Sequence, residues 1–247
     1  MRKIRLGKLM HRLLFVSSMC GFSINVSADD LVCGIANGFP PYQYQSLGVV
    51  SGFDADVLRL VVSRTNKNLK FAPGKWDDVI NYLRIGKVDC ISGMEINELR
   101  KKYFDFTTEY YHRYDVVFVR ADDDSIKTID DLYGKKITGD RHSFVENYWK
   151  NKGIKEHIRI KQTGTKEQAM ELLYQKDTVA AIMPKAVGLY LAKQLGFSVK
   201  VLENPDPGSP VAIAVKKGNA SLLQSLDSSL RALIEEGEIE RLYLQWF

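Results

Sequence analysis

The sequence predicts an α/β protein built as two similar units with a cleft between them. Three observations carry this. Short apolar strands alternate with amphipathic helices, the pattern of a parallel sheet covered by helices. The alternation runs through twice. A Pro- and Gly-rich stretch, Glu203 to Pro210, then leads into a last strand and two closing helices. The repeat is one of pattern, with no repeat of sequence.

The chain opens on a leader. Arg2, Lys3, Arg5, Lys8 and Arg12 precede an apolar run, Leu13 to Ile24, that is short for a bilayer span. Val26-Ser27-Ala28 is a small-residue cleavage pattern, so residues 1–28 read as a signal peptide and Asp29 as the start of an exported, periplasmic protein. An uncleaved anchor is the alternative. A lipid-modified Cys20 is a third reading, which Ser18-Met19 fit poorly. The leader also explains the charge. It holds five of the 35 Lys and Arg residues and no acid, leaving 30 against 30 Asp and Glu. The net +5 is a targeting feature and gives no ground for a nucleic-acid partner.

The 219 residues from Asp29 onward can build two lobes with cores of their own. Leu31 to Ala36 is a strand that stops at Asn37-Gly38-Phe39-Pro40-Pro41-Tyr42, since Pro is excluded from a central strand. Gly52-Phe53-Asp54-Ala55-Asp56 opens a helix to about Thr65, with Val57, Leu58, Val61 and Val62 inward. Strand Leu69 to Ala72, a helix from Lys75 to near Gly86, and strand Val88 to Ser92 follow. The second round has strands at 115–120, 137, 158–161, 179–183 and 199–202, and helices at 143–152, 165–175 and 186–195. Strand 211–215 and helices 222–237 and 239–246 close the chain. Cys33 and Cys90 fall in two buried strands. A disulfide and a pair of free thiols are both open, and no Cys/His spacing suits a metal.

The stretch Asp89 to Arg100, DCISGMEINELR, is the focus. A strand running into Ser92-Gly93-Met94-Glu95 as a turn, with a helix opening at Ile96, would gather free backbone N–H groups. Arg100, one turn on, offers a fork of donors suited to a carboxylate. On spacing alone Arg100 reads as a solvated surface arginine.

The order of motifs adds to this. Phe39-Pro40-Pro41-Tyr42, Gly52-Phe53-Asp54-Ala55-Asp56, Lys75-Trp76-Asp77, Gly86 to Met94, Arg100 and Phe104-Asp105-Phe106-Thr107 come first. Asp131-Leu132-Tyr133-Gly134-Lys135-Lys136, Ala214 to Asn219 and Gln245-Trp246-Phe247 follow. In this order they resemble the polar amino-acid family of periplasmic solute-binding proteins, family 3, which serve ABC transporters. The resemblance covers nearly all of the chain after the leader. It implies two Rossmann-like lobes joined by two crossing strands, the type II periplasmic binding protein fold. Lobe 1 would be 29–112 plus 211–247, and lobe 2 would be 114–207. It implies a monomer that closes on one amino acid or related small carboxylate and delivers it to an inner-membrane ABC permease, with no cofactor.

Site residues follow from the resemblance one by one. Phe39 matches the aromatic set against the ligand's side chain, with packing beside Pro40 as the other reading. Trp76 matches the second aromatic wall. Ser92 and Gly93 match the backbone contacts to the ligand's carboxylate and ammonium, and Arg100 matches the carboxylate clamp. His142, Ser143 and Phe144 match the loop and helix start that close from lobe 2.

Three positions depart from the family. Glu95 stands where a Ser or Thr is usual. Pro184, followed by Lys185, stands where an Asp usually takes the ammonium. Ala36-Asn37 replaces a more polar approach to the aromatic loop. Glu95 either takes over the ammonium contact or pairs with Arg100 and occupies the clamp. Lys185 reads as an exposed helix-start residue.

Two rival functions remain at this level. One is a prephenate/arogenate dehydratase on the same fold, with Glu95 or His142 as general acid. The other is a ligand sensor for a membrane regulator. There is no Gly-x-Ser-x-Gly elbow, paired-His metal motif or P-loop, so no enzyme is expected.

Overall fold

The computed structural model describes residues 29–139, 144–203 and 206–247. The leader, and with it Cys20, lies outside the described residues. The chain begins with β1 (Asp29–Ala36) and a small hairpin sheet of β2 (Gly38–Phe39), β3 (Gln43–Ser46) and β4 (Val49–Ser51). Helix α1 (Phe53–Ser63), β5 (Lys67–Gly74), α2 (Trp76–Ile85), β6 (Cys90–Glu95), β7 (Phe104–Phe106) and β8 (Tyr111–Arg113) follow. After Tyr114 come β9 (Asp115–Arg120), β10 (Lys136–Gly139), α3 (Phe144–Asn151), β11 (Arg159–Gln162), α4 (Lys166–Tyr174), β12 (Ala180–Pro184), α5 (Lys185–Gln194) and β13 (Val199–Glu203). The chain ends with β14 (Ser209–Lys216), α6 (Ala220–Glu235) and α7 (Glu238–Trp246).

Two mixed sheets result. The first runs β5-β1-β6-β14-β7, with β8 also on β14, and the second runs β11-β10-β12-β9-β13. Each has the parallel strands that βαβ alternation predicts, here β5-β1-β6 and β11-β10-β12. Each also carries antiparallel strands, β14 and β9, brought in by the segments that cross between the sheets. The crossings are tied together at Asp206. Its carboxylate accepts the Asp115 N–H at 2.7 Å and the Gly208 N–H at 2.8 Å.

Side-chain alternation sets the packing. On β14, Val211, Ile213 and Val215 face α6 and the α1 residues Val57, Leu58, Val61 and Val62, whereas Ala214 faces α2 through Val79 and Leu83. On β9, Val116 and Phe118 face α4 and α5, while Val117 and Val119 pack with Ile137 and Trp149. The α1/α6 side of the first sheet and the α4/α5 side of the second form one continuous core. Cys33 and Cys90 lie opposite each other on β1 and β6, Cα atoms 4.6 Å apart, and are disulfide-bonded.

One expectation is overturned. Ser92 to Glu95 is not a turn, and no helix opens at Ile96. Strand β6 continues through Glu95 against β14, with a register shift at Ser92-Gly93. The Ile96 N–H goes to the Pro210 carbonyl at 2.8 Å, and only a 3-10 turn forms, at Arg100–Lys102. Gly93 has φ 72°, the left-handed conformation that serves a bulge as readily as a turn.

Candidate functional site

The site is built under and around the β6 bulge. Asp54, fully buried in the first turn of α1, accepts hydrogen bonds from Tyr110 Oη at 2.7 Å and Gln43 Nε2 at 2.9 Å. Gln43 Nε2 also donates to the Ser92 carbonyl at 2.9 Å, and Gln43 Oε1 accepts the Ala36 N–H at 2.7 Å. Ser92 Oγ donates to the Asp54 carbonyl at 2.8 Å, and the Gly93 N–H donates to Tyr110 Oη at 3.0 Å. A Cβ on Gly93 would fall 2.1 Å from both Asp54 Oδ2 and Gln43 Nε2, so only glycine fits here. Ser92 and Gly93 thus have partners inside the protein. The Gly93 N–H, expected to be free, goes to Tyr110, and Met94 and Glu95 pair with β14.

Above this floor, Glu95 lies between two guanidinium groups. Its carboxylate is 3.6 Å from Arg100 and 3.4 Å from Arg113. Arg100 also donates to the Glu95 carbonyl at 2.8 Å and stands 5.8 Å over the Trp76 ring, which opens α2. The structure therefore brings together Trp76, Glu95 and Arg100, with Glu95 paired to Arg100. Phe39, at the end of β2, stacks on Tyr42 and lies under Arg113.

The second sheet contributes Asp115 and Pro184, and the helices α3 and α4 contribute their first residues, Phe144 and Lys166. The Phe144 N–H donates to Asp115 Oδ2 at 3.2 Å, and Pro184 is buried in register with Asp115. His142 and Ser143 lie outside the described residues. Lys185 is exposed, as expected.

Charge and burial oppose each other here. Burial pushes the Asp115 carboxyl up to about 6, Glu95 adding to the rise and Lys166 resisting it. Burial lowers the Lys166 ammonium to about 8 against the pull of Asp115 and Glu95. Asp54 is raised by burial despite Arg113 and its hydrogen bonds. Burial works to lower Arg113, but Tyr111, Glu95, Asp54 and Tyr42 outweigh it and hold it well above its ordinary value. Burial lowers Arg100, with Glu95 opposing. Asp115 on β9 and Lys166 at the start of α4 thus both feel Glu95 on β6, which places these charges where the two sheets meet. Among the described residues no group of His, Cys, Asp and Glu could hold a metal ion.

Sequence reasoning passed over Gln43, Asp54, Tyr110, Tyr111, Arg113, Asp115 and Lys166. The signal available was charge in apolar or aromatic company: Asp54 inside Gly-Phe-Asp-Ala, and Arg113 inside Tyr110-Tyr111-His112-Arg113-Tyr114.

Comparison with known proteins agrees with this architecture. The model of bacterial extracellular solute-binding proteins, family 3, matches residues 31–247. The chain is 28% identical to ABC transporter arginine-binding protein 1 of Escherichia coli K12, over 96% of this chain and 99% of that one. It is 29% identical to the amino-acid-binding protein AabA of Dichelobacter nodosus, over 97% of each. The structure of an ancestral arginine-binding protein bound to glutamine superposes with a TM-score of 0.77 at 30% identity, covering 88% of this chain and 97% of that one. With a family match spanning both sheets, the chain belongs to the bacterial extracellular solute-binding proteins, family 3, and has the type II periplasmic binding protein fold.

Proposed function

We propose that this protein captures an amino acid or closely related carboxylate in the periplasm and passes it to an ABC permease of the inner membrane. One observation carries the reading. Arg100, Arg113 and Lys166 face Glu95, Asp54 and Asp115 where two sheets joined by two crossing segments meet. Fixed charges shielded from water are what a small zwitterion needs, since each contact is worth more there than in solvent. Arg100, beside Trp76, offers the carboxylate contact once Glu95 gives way, and Glu95 is then placed to receive the ammonium. The two lobes, 29–112 plus 211–247 and 114–207, would close by a hinge at the crossings. The leader would be cleaved after Ala28 and the protein would act as a monomer. The relatives' names support the role, since they are binding proteins of amino acids and of ABC transporters.

The test is a thermal-shift screen of the protein from Asp29 onward against L- and D-amino acids, polyamines and small dicarboxylates. Ligand binding to the folded state raises the melting temperature by mass action. A clear rise with one amino acid supports the reading. Silence from all of them overturns it. Uptake of that amino acid by cells with and without the gene then tests the permease step.

A further inference from the structure

Arg113 sits as a receptor would hold a free cation. Its guanidinium carbon lies 4.6 Å from the ring centre of Tyr42, 4.9 Å from that of Phe39 and 5.4 Å from that of Tyr111. The carboxylates of Glu95 and Asp54 are 3.4 Å and 3.6 Å away. Nη2 donates to the Gly93 carbonyl at 3.4 Å and to Tyr111 Oη. Three aromatic rings, two carboxylates and a carbonyl make a recognition site for a planar guanidinium, which stacks on rings and forks onto carboxylates. Only 6% of the side chain is exposed. Arg113 is the last residue of β8, held in register opposite Ser209 one residue before the chain crosses to the second sheet. Its head thus lies on Phe39, the ring expected to meet the ligand's side chain.

We propose that Arg113 is a tethered guanidinium that fills the cation seat of the cleft and so determines specificity: the protein takes amino acids with uncharged or acidic side chains and refuses arginine and lysine. The proposal rests on the amino-acid-binding reading above for its ligand class. A second cation brought to Phe39 would meet both a filled space and a like charge. Removing the Arg113 side chain empties the seat and leaves its rings and carboxylates in place.

The experiment compares the wild-type protein with Arg113→Ala by thermal unfolding and calorimetric titration with L-arginine, agmatine, L-citrulline and L-glutamine. The expected result is that L-arginine binds Arg113→Ala at least about tenfold more tightly than wild type, while uncharged L-citrulline gains nothing. Equal arginine affinity for the two proteins, or none for either, overturns the proposal. Where Arg113→Ala does not fold, because Asp54 has lost its cation, Asp54→Asn/Arg113→Ala is measured in its place with the same criteria. Arg113→Lys keeps a charge in the seat and should go on refusing arginine; arginine binding by this variant also counts against the proposal. If no amino acid shifts the wild type, the broader reading fails, whereas arginine binding gained by the variant still supports the filled seat.

Discussion

The Glu95 carboxylate lies 3.4 Å from the Arg113 guanidinium and 3.6 Å from that of Arg100, so one carboxylate serves two cations. Glu95→Thr, which restores the residue type usual in the family, leaves both guanidinium groups and removes a negative charge. The emptied clamp gains positive charge, so acidic ligands should improve most. The expected outcome is a rise in the ratio of L-glutamate to L-glutamine affinity, measured by titration at low salt and shrinking as salt screens the site. An unchanged ratio, with a large loss of melting temperature, would make Glu95 a structural brace only.

Under the proposed function Arg100 is the cation that meets a ligand carboxylate, since it stands over Trp76 and is partly exposed while Arg113 is held among buried rings. Losing a partly buried charge partner costs roughly 2 kcal/mol or more, about 30-fold in affinity. Arg100→Ala should therefore weaken every carboxylate ligand by that factor. Its effect on melting temperature should be small, because the partly exposed side chain meets Glu95 and the Trp76 ring. Retained affinity would move the carboxylate contact elsewhere.

Acidity should tune stability through Asp115. Its folded-state pKa is about 6 against an ordinary 3.8, so the folded protein holds that proton more tightly than the unfolded chain. The favourable contribution is complete below pH 4 and is lost as pH rises through about 6. A two-unit shift corresponds to at most about 3 kcal/mol. Lys166 titrates near 8 and stays charged across this window. Asp115→Asn should therefore gain stability relative to wild type between pH 4 and 6.5, when both are followed by thermal unfolding. Parallel curves would show that Asp115 titrates normally.

Much of this architecture is legible in the sequence because it is periodic. Val57, Leu58, Val61 and Val62 declare the buried face of α1 by spacing alone, and all four are buried. The bulge at Gly93 is not legible, since a positive φ signals turn and bulge alike and only the partner strand β14, over a hundred residues on, decides between them. The site divides in the same way. Arg100, Glu95 and Trp76 are local enough to be seen, and the structure joins them. The Asp54, Tyr110 and Arg113 network depends on long-range contacts, and Arg113 ends the short strand β8, just ahead of the first strand of the second sheet, outside either periodic run.

The disulfide tests how the first sheet is held. Cys33 and Cys90 close a loop with a sequence separation of 57 residues between neighbouring strands. Constraining an unfolded loop of that length is worth about 4 kcal/mol by chain entropy. The loop contains Phe39, Asp54 and Trp76, and one end of the bridge is the first residue of the strand that carries Ser92, Gly93 and Glu95. Cys33→Ser/Cys90→Ser should therefore lower stability by about that amount in denaturant unfolding under oxidising conditions. The same variant should match wild type when both are measured in a reducing agent, where neither has the bridge. Ligand affinity should change little while the fold persists, because β1 and β6 remain paired beside Cys33 and Cys90. A variant as stable as the oxidised wild type would show that sheet pairing alone holds this region.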